Sequence, residues 1–164
     1  MPDLTQALDI IARQEALLIY DSFDADAAWH LGQTLVACAA ARERGVTIEI
    51  VLADQLRFHF AGDATAPLNA DWCRRKARLT RHFSRASLSV ALQLQQEGST
   101  LAQRYGLDPG QYAAAGGAFP LRVGSLGCVG SVAVSGLAQR EDHALVVQAL
   151  ATCLGREVPH WRPA

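Results

Sequence analysis

The stretch from Gly116 to His143 constrains this chain most. It reads Gly116-Gly117-Ala118-Phe119-Pro120-Leu121-Arg122-Val123, then a turn bounded by Gly124 and Gly127. Cys128-Val129-Gly130-Ser131-Val132-Ala133-Val134-Ser135-Gly136 follows, and the stretch ends in Glu141-Asp142-His143. Two strand-like runs about a short glycine-bounded turn are the pattern of a β-hairpin. Alternation in the second run puts Gly130, Val132 and Val134 on one face and Ser131, Ala133 and Ser135 on the other. The second face carries only small side chains, so a helix or a flat ligand can approach the backbone there. Gly136 releases the strand into a loop, and Glu141-Asp142-His143 opens the last helix.

The rest of the chain supplies helices and a second hairpin. Residues 3–13 have Leu4, Leu8 and Ile11 at helical spacing. Residues 16–20 are a compact apolar run suited to a central strand. Asp24 is placed to cap a helix with Leu31, Leu35 and Cys38 on its buried stripe, Arg42 and Arg44 in its last turn and Gly45 as its stop. Residues 47–53 and 56–60 alternate as two strands joined at Asp54 and Gln55. Helices are expected over 68–84 and 87–96, a short one between Gly98 and Gly110, and a closing helix over 140–154. The tail after Gly155 is expected to pack loosely or against a neighbour. Hairpins without obligatory crossover helices point to an α+β domain, an antiparallel sheet covered by helices.

Composition narrows the function classes. With 164 residues the chain is read as one domain over 1–164. Half of it is hydrophobic and the net charge is −1, so nothing drives it toward nucleic acid or a membrane surface. Met1-Pro2-Asp3-Leu4 lacks the order of a signal peptide, and no apolar run is long enough to span a bilayer. A reducing cytoplasm is the simplest home. Cys38, Cys73, Cys128 and Cys153 have no ligand spacing, so no metal site is expected. Gly124, Gly127 and Gly130 do not make a dinucleotide fingerprint. Ser135-Gly136 is only half of a nucleophile elbow, since Ala133 stands where a glycine belongs. No nucleophile, base and orienting acid can be assembled, so a hydrolase is disfavoured.

Five motifs together carry a family resemblance: Trp72-Cys73-Arg74-Arg75-Lys76, Gly116-Gly117-Ala118-Phe119-Pro120-Leu121, Gly127-Cys128-Val129-Gly130, Val134-Ser135-Gly136-Leu137 and Glu141-Asp142-His143. In this order they resemble the heme-degrading-domain family, the GlcG-like and HbpS-like group, and within it an uncharacterised cytosolic branch. The resemblance runs from Leu17 to Leu154. It implies a profilin-like sandwich, a five-stranded antiparallel sheet with helices on both faces, and assembly into homo-oligomers. It also implies a small-ligand binding protein, with heme or another tetrapyrrole as the candidate ligand. The cofactor's own oxygen chemistry would supply any turnover. Two positions depart from the family. Ala115 stands where the family often has His before the Gly-Gly pair, and Arg85-Ala86-Ser87 replaces a frequent His-Ser-Ser.

The residues named as cofactor-binding candidates are His143, Arg75, Lys76, Gly116, Gly117 and Ser135. An imidazole beside Asp142 can ligate iron or carry a proton, and it can equally pin a strand-helix junction. Arg74, Arg78, Arg81 and Arg85 share one helical face, with Trp72, Leu79 and Phe83 on an apolar one. A guanidinium fork there suits a propionate, a phosphate or an acidic partner. A solvated face, or ion pairs across a subunit boundary, accounts for it as well. Gly116-Gly117 permits a close approach of backbone to ligand or to protein. His59 is expected to project away from Phe58 and Phe60. The alternative to ligand binding is a cofactor-free assembly module.

Overall fold

The computed structural model describes residues 3–42 and 44–161. In chain order the elements are α1 (Leu4–Leu17), β1 (Ile19–Tyr20), α2 (Ala25–Ala39), β2 (Thr47–Leu52), β3 (Gln55–Ala61) and α3 (Pro67–Phe83). They continue as α4 (Ser87–Glu97), α5 (Leu101–Tyr105), β4 (Ala118–Val123), β5 (Gly127–Ser135) and α6 (Gln139–Leu154). The strands form one sheet in the order β1-β4-β5-β2-β3. The fold is α+β, a five-stranded sheet with helices on both faces.

The sheet is mixed rather than antiparallel throughout. β1 runs parallel to β4, pairing Ile19 with Arg122 and Tyr20 with Val123. Only strands joined by a tight turn are forced antiparallel. β1 meets β4 after several intervening elements, and its direction is set by α1 and α2 on either side. The apolar run at 16–20 is correspondingly shortened, because α1 extends through Leu17. The second hairpin turns at Ala53 and Asp54, one residue earlier than expected. Both have positive φ (49° and 60°), the geometry of a two-residue primed turn, and Gln55 already pairs with Leu52.

The two sheet faces differ in what covers them. Phe119, Leu121, Val132, Val134, Ile48 and Ile50 point into the main core with Ile11, Leu31, Leu35, Leu145 and Leu150 from α1, α2 and α6. Each of these side chains contributes about 1.5–3 kcal/mol on burial, so this layer dominates stability. On the other face α3 lies directly on the small-residue stripe, where Cys73 and Ala77 meet Ala118 and Ala133. Of the two occupants the sequence allowed for that stripe, the helix takes the place.

Local sequence sets the ends of the helices that frame the site. Asp24 accepts from Ala27 N–H at 2.8 Å, as expected of a cap. α2 ends at Ala39, so Arg42 and Arg44 lie beyond its last turn. Pro67 opens α3, and the Asn69 side chain accepts from Ala66 N–H at 2.9 Å. Ser84, in the left-handed region at φ 52°, closes it. The tail as far as Trp161 packs onto the domain rather than loosely, and residues 162–164 lie outside the described residues. The Pro159 carbonyl accepts from Gln14 Nε2 at 2.7 Å, and the Trp161 ring stacks on His143 at 5.5 Å.

Candidate functional site

α3 carries three different faces. Cys73, Lys76, Ala77 and Thr80 are buried, and they follow i, i+3, i+4, i+7 spacing toward the sheet. Leu79 joins Val90, Leu94 and Leu101 in a second cluster, with Phe83, Tyr105 and Tyr112 packed against it. The arginines hold neighbouring parts of the same chain. Arg78 donates to the Gln111 carbonyl at 3.1 Å, Arg81 to Ser131 Oγ at 2.7 Å, and Arg85 to Ser89 and Gln93. Arg74 faces Asp71 at 3.7 Å. This face is satisfied within one chain and needs no subunit boundary to account for it.

Lys76 is the buried exception on this helix. Its ammonium donates to the Gly116 carbonyl at 3.0 Å, to the Val134 carbonyl, and to Asp142 Oδ2 at 3.2 Å. An ammonium has three donors, and all three are engaged. Asp142 Oδ1 accepts from Leu137 N–H at 3.0 Å. Burial pushes the Asp142 carboxyl up to about 6, although Lys76 pulls in the opposite direction. Desolvation of the carboxylate outweighs one ion pair here. The Gly-Gly pair fits around this cluster. A side chain on Gly117, whose φ is 127°, would meet Lys76 Nζ, the Val134 carbonyl and the Asp142 side chain. A side chain on Gly116 would meet the Gln139 carbonyl. Both glycines admit protein to the backbone.

His143 lies apart from this cluster. It is 1% exposed in the main core. Gln14 uses its amide N–H on Pro159, so it turns Oε1 to His143 Nε2 at 2.9 Å. That arrangement puts the imidazole proton on Nε2, and Nδ1 has no partner among the described residues. Burial pushes the imidazole down to about 3, keeping it neutral. His59, on the edge strand β3, pairs with the buried Glu49 at 3.4 Å.

Two adjoining cavities border α3. The larger, of about 630 Å³, is walled by Trp72 and Arg75, by Ala91 and Leu94 of α4, by residues 99–102, and by residues 109 and 112–115. Its lining is mainly apolar. The Arg75 guanidinium lies 4.1 Å from the Trp72 ring centroid, and it donates to Asp71 at 3.0 Å and to the Pro109 carbonyl at 3.3 Å. The smaller, of about 240 Å³, is a polar cup lined by Asn69, Lys76, Gly116, Ser135, Gln139 and Asp142 among others. Trp72 and Ala115 border both. The structure therefore gathers Lys76, Gly116 and Ser135 at the cup, with Gly117 behind it and Arg75 in the groove. It places His143 at neither cavity. Sequence reasoning did not single out Asn69, Tyr112 or Gln139, which lie in segments without a strong pattern.

The sequence signature of the family described as haem degrading protein HbpS-like matches residues 23–151. The chain belongs to that family. Among HbpS-like relatives, a UPF0303 protein of Serratia proteamaculans is 44% identical over 152 residues, 93% of this chain and 94% of the relative. Another, from Burkholderia thailandensis, is 47% identical over 153 residues, 93% of each chain. The HbpS-like fold recurs in solved structures. The Ybr137w protein superposes with a TM-score of 0.82 at 24% identity, covering 88% of this chain and 86% of that one. A PduOC:heme complex superposes with a TM-score of 0.66 at 20% identity, covering 81% of this chain and 94% of that one. No helix among the described residues is long and apolar enough to cross a membrane.

Proposed function

We propose that this chain is a small-ligand binding protein that holds a flat, mostly apolar molecule in the groove between α3, α4 and residues 109–115. The observation that carries this reading is the Arg75–Trp72 stack on the wall of the apolar cavity. Its volume of about 630 Å³ suits a small-molecule site, and a guanidinium in a mainly apolar lining gives an acidic group one fixed partner. Heme or another tetrapyrrole is the leading candidate. The family description and the heme held by the PduOC neighbour support it. The residues present suit the body and one carboxylate of such a molecule. They do not suit a histidine-held iron, because neither cavity is lined by an imidazole and His143 is enclosed in the core. Binding without catalysis follows as the simplest role.

Titration with hemin and with iron-free protoporphyrin, followed by tryptophan quenching and absorbance, tests this. The expected result is saturable one-per-chain binding of both, weakened about tenfold by Arg75→Ala, on the scale of one charged hydrogen bond. Non-saturating signals that are identical in the variant would sink it.

A second reading, a homo-oligomeric assembly module, draws on the sheet edge. β3 is an edge strand, Leu56 on it is 53% exposed, and Trp29, beside Phe58, is 59% exposed. Such an edge is a template for another chain. Light scattering decides it. A defined oligomer that Trp29→Glu dissociates supports assembly through this edge, and a monomer at micromolar concentration removes it.

A further inference from the structure

The hydrogen-bond inventory of the polar cup is one-sided. Its side-chain acceptors are already engaged. Asp142 holds Lys76 and Leu137 N–H, Gln139 Oε1 accepts from Gly116 N–H at 3.1 Å, and Asn69 Oδ1 accepts from Ala66 N–H. The Gly116 carbonyl is taken by Lys76. Its donors are not. The Gln139 amide N–H groups at the exposed rim and the Ser135 hydroxyl hydrogen inside have no acceptor among the described residues. Asn69 Nδ2 makes only a long 3.4 Å contact to Ser135 Oγ. Ser135 is 5% exposed, so its hydroxyl is set deep in the cup. A buried hydroxyl such as that of Ser135 tends to find an acceptor, and the described residues offer it none.

We propose that the cup is a carboxylate subsite of the groove, so that the ligand is an apolar ring system carrying a short carboxylate arm past Trp72 and Ala115. This rests on the groove being the ligand site. The cup is net neutral apart from a matched Lys76–Asp142 pair, so its preference comes from directed N–H and O–H groups. An ammonium arm would meet oxygens that each already accept a hydrogen bond, would lie beside the Lys76 ammonium, and would leave these donors unpaired. The volume of about 240 Å³ leaves ample room for such a group.

The test uses naphthaleneacetate and naphthylmethylamine, which share a ring and differ in the arm. Binding is followed by amide chemical-shift perturbation. The acid is expected to bind about tenfold more tightly than the amine and to shift the amides of Asn69, Ser135 and Gln139 as well as the groove. Gln139→Ala and Ser135→Ala are each expected to weaken the acid about three- to tenfold, the scale of one hydrogen bond, and to leave the amine unchanged. Gln139 is exposed, so its truncation leaves the core intact. Equal affinities, or acid-induced shifts confined to residues 94–102 and 109–115, would overturn the subsite and leave the groove standing. Absence of binding by both probes would overturn the groove together with the subsite.

Discussion

Lys76 Nζ of α3 and Asp142 Oδ2 of the first turn of α6 meet at 3.2 Å, both nearly excluded from water. The pair ties the two helix-bearing faces of the sheet together at one end. It also encloses the Gly116-Gly117 corner. Its geometry makes it a structural element first, with the cup formed around it.

Removing one member should therefore be severe. Lys76→Met leaves a buried carboxylate without its cation and is expected to cost about 3–5 kcal/mol in urea unfolding. The Lys76→Met, Asp142→Leu double variant should lose much less than the sum of the single losses, because no uncompensated charge remains. An additive double loss would contradict this.

The pH dependence has two opposing parts. The Asp142 carboxyl is raised from 3.8 to about 6 in the folded state, so the folded protein holds the extra proton and stability falls as pH rises from 4 to 6. Glu15 and Glu49, also raised by burial, add to that slope. The His143 imidazole is lowered from 6.5 to about 3, so the unfolded chain holds the extra proton and stability rises over the same range. His143→Gln should make the slope of stability against pH more negative by up to about 1.4 kcal/mol per pH unit. Asp142→Asn should make it more positive. Thermal melts between pH 4 and 6.5 would read both signs.

Trp161 shields the imidazole. Trp161→Ala is expected to cost about 1–2 kcal/mol, the scale of a partly buried aromatic contact. It should also bring the His143 proton equilibrium up toward its ordinary value. A histidine ring titration by NMR that stays silent above pH 4 in the variant would show that the Trp161 ring is not what excludes water.

Ala115 borders both cavities, immediately before the Gly116-Gly117 pair. Ala115→His would place an imidazole between groove and cup. On the tetrapyrrole reading it should give hemin a histidine-ligated Soret band that the parent protein lacks. Identical spectra for parent and variant would count against hemin sitting in this groove.

Much of the scaffold was legible because it depends on local pattern. The β4–β5 hairpin, the Asp24 cap and the extents of α3, α4 and α6 follow from spacing and turn residues. What was hidden depends on distant partners. A lysine among arginines reads as part of a basic face, yet Lys76 belongs to the Cys73-Ala77-Thr80 stripe, and its carboxylate partner is 66 positions away. That small-residue stripe was the signal available. His143 reads as functional beside Asp142, but its hydrogen-bond partner is Gln14, 129 positions earlier. The groove wall at 109–115 has no periodicity. Tertiary ties place it, namely Arg75, Arg78 and the Ala113 N–H bond to the Arg75 carbonyl.

The clasp of Pro159 and Trp161 over Gln14 and His143 bears on how the chain is made. A ribosome releases the first helix long before it releases the residues that cover it. While those residues are still in the exit tunnel, the buried amide of Gln14 lacks its carbonyl and the imidazole lacks its aromatic cover. The sheet can assemble in that interval, since all of its strands precede α6. Emergence of residues 159–161, rather than of the last strand, is then the event that closes the core, and a chain stalled or cut before them would leave it open to water at α1.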